Sequence, residues 1–310
     1  MKAARIHKYG PPDVIVIDEV ERPAPGEGEA LVRVASAGVG PWDALIREKQ
    51  GEVDAELPIT LGSDLSGVIA GVGPGVTAWH AGDEIYGVTN SSFVGAYAEY
   101  AVVKANMIAR KPAGLSFEEA ASAPVVAVTP WQMLFEYANA KAGQSVLIQG
   151  AGGNVGAYAV QLAAQAGLEV FAVASAKDAE YVKRLGAGTV IDHKKQRFED
   201  AAPKVDIVLD MVGGETQKRS FEVIKPGGIL VSVVSQPEQK SSKDGVRAVF
   251  FLVEVTTERL EKMTGLFEQK KLEPRVGTVL KLDEARKAHD MLAGAPHEPG
   301  KILLRVGELG

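Results

Sequence analysis

The 310-residue sequence contains no cysteine, and this absence excludes several kinds of site at once. A chain without thiols has no disulfide bond, no cysteine nucleophile, no cysteine-ligated iron–sulfur cluster and no zinc site with thiolate ligands. Basic residues are not in excess either, since 34 lysines and arginines stand against 40 aspartates and glutamates. Because the formal net charge is -6 and no basic block stands out, we expect no binding to nucleic acid.

Long apolar runs are also missing from the sequence. The apolar segment 248–253 is far shorter than the roughly 18 residues that a membrane helix needs. The residues after Met1 carry charge without an apolar stretch behind them, which is not the pattern of a secretory signal. We therefore expect a cytoplasmic protein that makes no contact with a membrane.

The composition that remains is typical of a folded protein, with 46% hydrophobic and 24% charged residues. At roughly 100–200 residues per domain, the length indicates about two domains. In roughly the first 110 residues, runs rich in strand-forming residues are separated by glycine and proline, which predicts a small barrel or sandwich-like β domain. These runs are 30–34, 65–73, 83–88 and 97–103.

Near residue 115 the pattern changes. Ser116 and Glu119 have the spacing of a capping box, which predicts the start of a helix. From residue 145 onward, nearly continuous apolar strands alternate with helical patterns, which predicts an α/β domain whose parallel sheet is covered on both faces. A last strand at 301–306 does not extend this alternation and is compatible with a return to the first domain. The predicted strands of the alternating part are 145–148, 170–174, 189–191, 206–210 and 228–234.

The strongest functional signal is a glycine motif between a predicted strand and a predicted helix. Gly150, Gly153 and Gly156 have the spacing G-x-x-G-x-x-G, close to the fingerprint of dinucleotide-binding proteins. Glycines let the strand turn sharply and let backbone N–H groups approach a diphosphate, at which a helix opening near Asn154 points its positive end. The alternative is a tight strand–helix turn that binds nothing.

The next strand indicates which dinucleotide is bound. An NAD site usually has an acid at the end of this strand to hold the ribose 2′-hydroxyl, whereas here no carboxylate occurs before Asp178. Ser175 can donate a hydrogen bond to a 2′-phosphate and Lys177 can offset its charge, so the pattern favours NADP(H) over NAD. The alternatives are a helix N-cap for Ser175 and a solvated surface position for Lys177. His193, after the third strand, either lines the 2′-phosphate pocket or is a surface residue.

Several further motifs occur in a characteristic order along nearly the whole chain, at 61–73, 82–87, 129–132, 185–187, 210–213 and 300–304. With the glycine motif, they make the sequence resemble the medium-chain dehydrogenase/reductase superfamily, and within it the zinc-independent quinone oxidoreductase-like branch. The resemblance implies an α/β fold in which a GroES-like β-rich catalytic domain is combined with a Rossmann doubly wound parallel-sheet domain. The implied domains are 1–123 (GroES-like), 124–262 (Rossmann, NADP-binding) and 263–310 (return to the catalytic domain).

The resemblance also assigns roles to residues and a quaternary state. It implies that no metal is bound, since Ser63 and Asp64 stand where zinc-dependent members have His and Glu after the glycine. It further implies a homodimer joined through the Rossmann units. The cofactor residues it implies are Gly150, Gly153, Asn154 and Val155 at the diphosphate, Ser175, Lys177 and His193 at the 2′-phosphate, Thr129 at the nicotinamide amide, Val212 and Gly213 along the groove, and Phe250, Phe251 and Leu252 near the nicotinamide end.

Near the reacting carbon, the family pattern Asn-Pro-x-Asp is replaced in this chain. The amide is lost at Gly40 and a large indole appears at Trp42, so Gly40, Trp42 and Asp43 are the candidate substrate pocket. Trp42 either forms a flat wall for a planar acceptor or fills the core. No catalytic residue is assigned, but Asp43, Tyr86 and Tyr97 are candidate proton donors. The alternative for Asp43 is a structural role in a turn or helix cap, and the alternative for the two tyrosines is a half-buried position in a strand.

These features predict an enzyme that transfers hydride from NADPH to a small-molecule acceptor, either a quinone or a conjugated enone. The cofactor carries the redox chemistry, and the protein orients the reactants and excludes water. Without a metal no strong Lewis acid polarises an isolated carbonyl, which favours acceptors already activated by conjugation. Two alternatives stay open: an NADPH-binding redox sensor without turnover, which the lost asparagine motivates, and an enoyl-thioester reductase.

Overall fold

The computed structural model describes residues 1–50, 56–237 and 245–307. These residues form sixteen strands and nine α-helices, none of which is both long and apolar enough to cross a membrane. In chain order the strands are β1 (Lys2–Ile6), β2 (Ile15–Glu19), β3 (Glu29–Val39), β4 (Ile59–Thr60), β5 (Asp64–Val72), β6 (Glu84–Val88), β7 (Tyr100–Lys104), β8 (Ile108–Arg110), β9 (Ser145–Gln149), β10 (Glu169–Ala174), β11 (Thr189–Asp192), β12 (Val205–Asp210), β13 (Ile224–Ser232), β14 (Arg247–Phe250), β15 (Val276–Lys281) and β16 (Lys301–Arg305). The helices are α1 (Pro41–Arg47), α2 (Phe117–Ala121), α3 (Pro124–Trp131), which continues as a π-helix over Gln132–Tyr137, α4 (Asn154–Gln165), α5 (Ala179–Arg184), α6 (Phe198–Ala201), α7 (Gly214–Ser220), α8 (Thr257–Glu268) and α9 (Ala285–Leu292).

The chain divides into two compact units. One contains Met1–Val125 together with Val255–Gly310, and the other contains Val126–Glu254. The first division lies two residues from the predicted boundary at 123/124, whereas the second lies at 254/255 rather than at 262/263. The difference arises because α8 belongs as a whole to the first unit.

Several hydrogen bonds attach α8 to the other elements of the β-rich unit. The hydroxyl of Thr257 donates to the backbone oxygen of Ile108 at 2.7 Å, and the phenol of Tyr86 donates to the backbone oxygen of Leu260 at 2.8 Å. Which sheet a segment packs against depends on contacts between distant residues such as these, which the sequence does not show.

The first unit is built around β3, an eleven-residue strand with apolar residues such as Leu31, Val32 and Val34 buried. β3 pairs antiparallel with β5, β7 and β16, so residues close to the C-terminus complete a sheet that begins near the N-terminus. The sheet has the order β15-β16-β3-β5-β6-β8 with β7 paired to β3, and a smaller sheet has the order β2-β1-β4.

The second unit is a six-stranded parallel sheet. Its strand order is β11-β10-β9-β12-β13-β14, which is the order 3-2-1-4-5-6 of a Rossmann fold. All five residues of β9 are buried, as expected for a central strand covered on both faces. The predicted fold class, a GroES-like β-rich domain with a doubly wound parallel-sheet domain, is confirmed. The strand order reverses between β9 and β12, which is where open α/β sheets bind ligands.

Candidate cofactor and substrate sites

The glycine motif forms the turn that leads from β9 into α4. Gly150 has a φ of +75°, a left-handed conformation that favours glycine. A Cβ atom on Gly156 would lie 2.2 Å from the backbone oxygen of Gly150, so helix and turn approach too closely for any side chain there. Gly153 is the N-cap of α4, whose first backbone N–H groups have no intrahelical partner. The turn therefore offers a helix N-terminus at the point where the strand order reverses.

A second loop, after β12, lies directly beside this turn. A Cβ atom on Gly150 would be 3.3 Å from Cγ2 of Val212, and Gly213 has a φ of +75°. Asp210, the last residue of β12, is buried and organises this loop through its carboxylate. The carboxylate accepts hydrogen bonds from Val212 N (3.0 Å), Gly213 N (2.8 Å), Gln217 Nε2 (2.9 Å) and Ser232 Oγ (2.8 Å).

Asp210 lies in the family-like motif 210–213, which by itself assigns it no role. The available signal was an acid that ends a buried strand three residues before a glycine. The structure shows why it matters: a buried carboxylate with four donors fixes the loop that carries Val212 and Gly213. Asp210 is therefore a positioning residue for the predicted cofactor groove.

The candidate 2′-phosphate residues lie at the ends of β10 and β11. The backbone N–H of His193 donates to the carbonyl of Ala174 at 3.3 Å, which brings the two strand ends together. Lys177 and His193 are exposed, and Ser175 is half-buried. The hydroxyl of Ser175 donates to Oδ2 of Asp178 at 2.7 Å and does not cap the short helical turn that follows it.

The candidate nicotinamide residues differ in their exposure. Thr129 in α3 is buried, Phe250 at the end of β14 is half-buried, and Phe251 stacks on Tyr137 with 4.3 Å between ring centroids. Leu252 is 78% exposed. Val234, after the adjacent strand β13, and Val212, after β12 beyond it, are also exposed apolar side chains, at 47% and 49%. Three consecutive strands thus present apolar side chains beyond the carboxyl edge of the sheet.

The substrate candidates of the first unit lie around a buried ion pair. Nζ of Lys301 is 2.9 Å from Oδ2 of Asp64 and 4.3 Å from the ring centroid of Trp42. The indole N–H of Trp42 donates to Oγ of Ser63 at 3.0 Å. Ser63 and Asp64 are thus engaged by an indole and an ammonium group, respectively. Burial raises the pKa of Asp64, and the charge of Lys301 opposes this rise.

Glycine at position 40 is explained by the indole two residues later. A Cβ atom on Gly40 would lie 2.4 Å from the ring of Trp42. Trp42 therefore occupies the space that a side chain at position 40 would need. Trp42 itself is half-buried.

Asp43 is buried, and one of its oxygens accepts two hydrogen bonds. Oδ2 accepts from the backbone N–H of Gly40 at 2.8 Å and from the hydroxyl of Tyr97 at 2.9 Å, while Oδ1 has no hydrogen-bond partner among the described residues. Burial raises the pKa of Asp43 to about 7 despite these hydrogen bonds and the nearby charge of Lys301. The acid is thus placed at the start of α1 and can change its protonation state near neutral pH.

The two candidate tyrosines are fully buried rather than half-buried. Burial raises the pKa of Tyr97, and the adjacent Asp43 adds to this effect. Burial also raises the pKa of Tyr86, whose hydroxyl is engaged with α8. The contacts of Tyr86 are those of a structural residue, while those of Tyr97 position Asp43.

Arg47 and His289 form a buried pair that no sequence motif indicates. The guanidinium of Arg47 donates to Nδ1 of His289 at 2.7 Å and to the backbone oxygen of Gly10 at 2.9 Å. Burial, with the charge of Arg47 beside it, lowers the pKa of His289 to about 3, so this imidazole is neutral. Within 1–50, 56–237 and 245–307, no group of three or more His, Asp or Glu side chains is arranged to hold a metal ion.

Comparisons with known proteins agree on one family. Residues 26–113 match the family model described as alcohol dehydrogenase GroES-like domain, and residues 185–304 match the one described as zinc-binding dehydrogenase. Quinone oxidoreductase from Rattus norvegicus is 30% identical over 98% of this chain and 97% of its own length. The 2-methylene-furan-3-one reductase of Solanum lycopersicum is 34% identical over 88% of this chain and 71% of its own. The structure of the quinone oxidoreductase from Coxiella burnetii superposes with a TM-score of 0.92 at 31% identity, covering 99% of both chains.

Proposed function

Because this chain belongs to the quinone oxidoreductase-like family of medium-chain dehydrogenases/reductases, we propose that it transfers hydride from NADPH to a quinone or a conjugated enone without a catalytic metal. The family consists of oxidoreductases that bind a nicotinamide cofactor. One observation carries the proposal: the glycine turn at 150–156 lies where the order of the six parallel strands reverses.

The residues of the second unit fit a dinucleotide. Gly150 and Gly156 give the turn its shape, and the N–H groups at the start of α4 would face the diphosphate. The loop held by Asp210 would line the groove, with Leu252 toward the nicotinamide end. When bound, the nicotinamide ring supplies the hydride, and the protein holds the ring in place and shields it from water.

The choice of NADPH is supported by the groups at the ends of β10 and β11. No acid occupies the last residues of β10, and Lys177 lies exposed three positions after the end of this strand. His193 is brought to the same strand end by the hydrogen bond from its backbone N–H to Ala174. An ammonium group and an imidazole N–H suit a 2′-phosphate, because hydrogen bonds to charged groups are worth about 1.5–3 kcal/mol each. We therefore expect the protein to bind NADPH more tightly than NADH.

The proposed acceptor class is supported by the residues that stand where zinc-dependent members of the superfamily have Gly-His-Glu, which are Gly62, Ser63 and Asp64. The chain has no cysteine, Asp64 is paired with Lys301, and Ser63 accepts from Trp42. Without a Lewis acid the acceptor must already be electrophilic, as quinones and conjugated enones are. The names of two relatives, a quinone oxidoreductase and a 2-methylene-furan-3-one reductase, belong to this class. The half-buried indole of Trp42 is the proposed flat surface for such a planar acceptor.

The proposal extends to assembly and location. Among the described residues β14 is an edge strand of the parallel sheet, and an edge strand can pair with a strand of a second copy. We propose a cytoplasmic homodimer whose two copies are joined through their Rossmann units. Light scattering coupled to size-exclusion chromatography tests this, and a mass of one chain across the concentration range would contradict it.

Steady-state oxidation of NADPH tests the catalytic proposal, with a panel of quinones, conjugated enals and enones, and enoyl thioesters as acceptors. We expect turnover with quinones or enones that survives treatment with a strong chelator. Turnover of secondary alcohols with NAD, with none across the panel, would contradict the proposal. Cofactor binding without any oxidation would support the redox-sensor alternative, and turnover confined to thioesters would support the enoyl-thioester reductase.

A further inference from the structure

A serine–aspartate pair lies at the carboxyl end of β10, where the ribose of a bound dinucleotide is expected. Ser175 is the first residue after the strand, and its hydroxyl donates to Oδ2 of Asp178 at 2.7 Å. Asp178 is half-buried, and it forms no side-chain cap on the helix that follows it. The hydrogen bond therefore joins two side chains at the proposed cofactor site.

A second contact places the same carboxylate against the glycine turn. A Cβ atom on Gly152 would lie 2.9 Å from Cβ of Asp178 and 3.1 Å from its Oδ2. Only a residue without a side chain at 152 leaves this space to the aspartate. Asp178 is thus held between the end of β10 and the turn proposed to receive the diphosphate.

The direction of the hydrogen bond determines which ribose substituent suits Ser175. A serine hydroxyl has one hydrogen to donate and two lone pairs to accept with. While that hydrogen is given to Asp178, Ser175 can accept from a ribose 2′-hydroxyl but cannot donate to a 2′-phosphate. A phosphate offers acceptors only, so the pair matches NADH, whereas Lys177 and His193 match NADPH.

Resting on the proposed function, we infer that Asp178 is a specificity-determining residue, which withholds the hydroxyl of Ser175 from a 2′-phosphate and so limits the preference for NADPH over NADH. The site then accepts both reduced cofactors. The ratio of NADPH affinity to NADH affinity is smaller than it would be if Ser175, Lys177 and His193 all contacted the phosphate. Asp178 thereby affects the binding affinity of the cofactor and leaves the hydride-transfer step unchanged.

Titration of intrinsic and cofactor fluorescence with NADPH and with NADH tests this inference. We expect Asp178→Ala to raise the ratio of the two affinities about tenfold in favour of NADPH, equivalent to about 1.4 kcal/mol. Ser175→Ala alone should change NADPH affinity less than about twofold, because its hydrogen is already given to Asp178. In the Asp178→Ala background, the same serine substitution should remove the gain, as expected for two coupled residues.

Glu180→Ala is the matched control. Glu180 is an exposed acid in α5, two positions after Asp178, and it is paired with Lys183 at 3.3 Å. It has the same charge as Asp178 without the contact to Ser175. It should leave the ratio unchanged. Asp178→Asn keeps the size of the side chain and should shift the ratio in the same direction by less, which protects the test if the alanine variant does not fold.

An unchanged ratio in both Asp178 variants, an equal shift in Glu180→Ala, or a gain that persists without the serine hydroxyl would each overturn the inference while leaving the proposed function intact. Failure of the wild-type protein to bind either reduced cofactor would overturn both. Wild-type protein that binds only NADH, with NADPH affinity appearing in Asp178→Ala, would support the inference and contradict the proposed cofactor.

Discussion

Nζ of Lys301 and Oδ2 of Asp64 lie 2.9 Å apart although 237 positions separate the two residues in the sequence. Both side chains are buried, at 2% and 0% exposure. Gly38 makes the approach feasible, since a Cβ atom there would lie 2.8 Å from Cβ of Asp64 and 2.9 Å from Cε of Lys301. The pair therefore ties β16 to β5 across the central strand of the first unit.

Lys301→Met should strongly destabilise the protein. It leaves the buried carboxylate of Asp64 without its counter-charge, and breaking a buried pair from one side costs about 3–5 kcal/mol. Urea unfolding followed by circular dichroism measures this loss. Arg305→Ala is the control on the same strand, because the pair of Arg305 with Glu118 is partly exposed and worth about 1 kcal/mol or less. Equal losses in the two variants would contradict the role of the buried pair.

Asp43→Asn should alter how stability depends on pH. Burial raises the pKa of Asp43 to about 7 from an ordinary value of 3.8. Because the folded-state pKa is the higher one, the contribution of Asp43 is most favourable below about pH 4 and is lost as the pH rises toward 7. Asparagine does not titrate. The free energy of unfolding of the variant, relative to that of the wild type, should therefore increase by up to about 1.4 kcal/mol per pH unit over this range and stay constant above it.

The control for this pH series is Asp206→Asn. Burial acts to raise the pKa of Asp206, but hydrogen bonds from Ser145 and Lys225 outweigh it and lower the pKa to about 2. The stabilising contribution of Asp206 is thus present above pH 4 and lost only in stronger acid. Unfolding curves at pH 5, 6, 7 and 8 should show a constant difference for Asp206→Asn. A constant difference for Asp43→Asn would show that Asp43 does not titrate in this range.

Gly156→Ala should damage both folding and cofactor binding. The new Cβ atom would meet the backbone oxygen of Gly150 at 2.2 Å, which forces the helix away from the turn. Overpacking of this kind typically costs about 1–3 kcal/mol. Gly188→Ala is the control, since its Cβ atom would lie 3.6 Å from the nearest atom and its effect should stay within about 1 kcal/mol. Thermal unfolding with and without NADPH compares them, and an undamaged Gly156→Ala would contradict this account of the turn.

Lys177→Met should weaken NADPH binding selectively. Removal of one charge-assisted contact to a 2′-phosphate should lower NADPH affinity about tenfold and leave NADH affinity unchanged. The loss should shrink as salt is added, because an exposed ammonium is screened. Isothermal titration calorimetry measures both affinities, with Lys183→Met, an exposed lysine farther along the same segment, as the control. Equal losses for NADH and NADPH would place Lys177 away from the 2′-phosphate.

Much of the local structure could be predicted because it depends on neighbouring residues. The hydroxyl of Ser116 accepts from the N–H of Glu119, and the carboxylate of Glu119 accepts from the N–H of Ser116, which confirms the predicted capping box. The six-stranded parallel sheet likewise confirms the prediction made from the alternation of strands and helices after residue 145. By contrast, β1, β2 and β14 were not predicted, because short segments have no strong period of their own and depend on the partners they pack against.

The candidate site divides in the same way. Sequence motifs selected Gly150 and Gly156, whose backbone the structure shows to require glycine, while the roles of Lys177, His193 and Trp42 stay predictions. The carboxylate of Asp210 and the bond from Ser175 to Asp178 were beyond reach, since a sequence lists a serine or an acid without its partner. Which donor meets which acceptor is decided only when distant segments are brought within about 3 Å.

The sequence by itself determined the class of the protein: periodic apolar strands, helices and a glycine turn at set spacing specify a Rossmann unit, and family motifs specify the rest. Only the tertiary structure decided that Lys301 meets Asp64, that Asp210 organises the loop beside the glycine turn, and that Trp42 takes the space of a side chain at position 40. The reason is physical, because periodicity is a property of residues a few positions apart, whereas hydrogen bonds and ion pairs depend on sheet register and on burial across the whole chain.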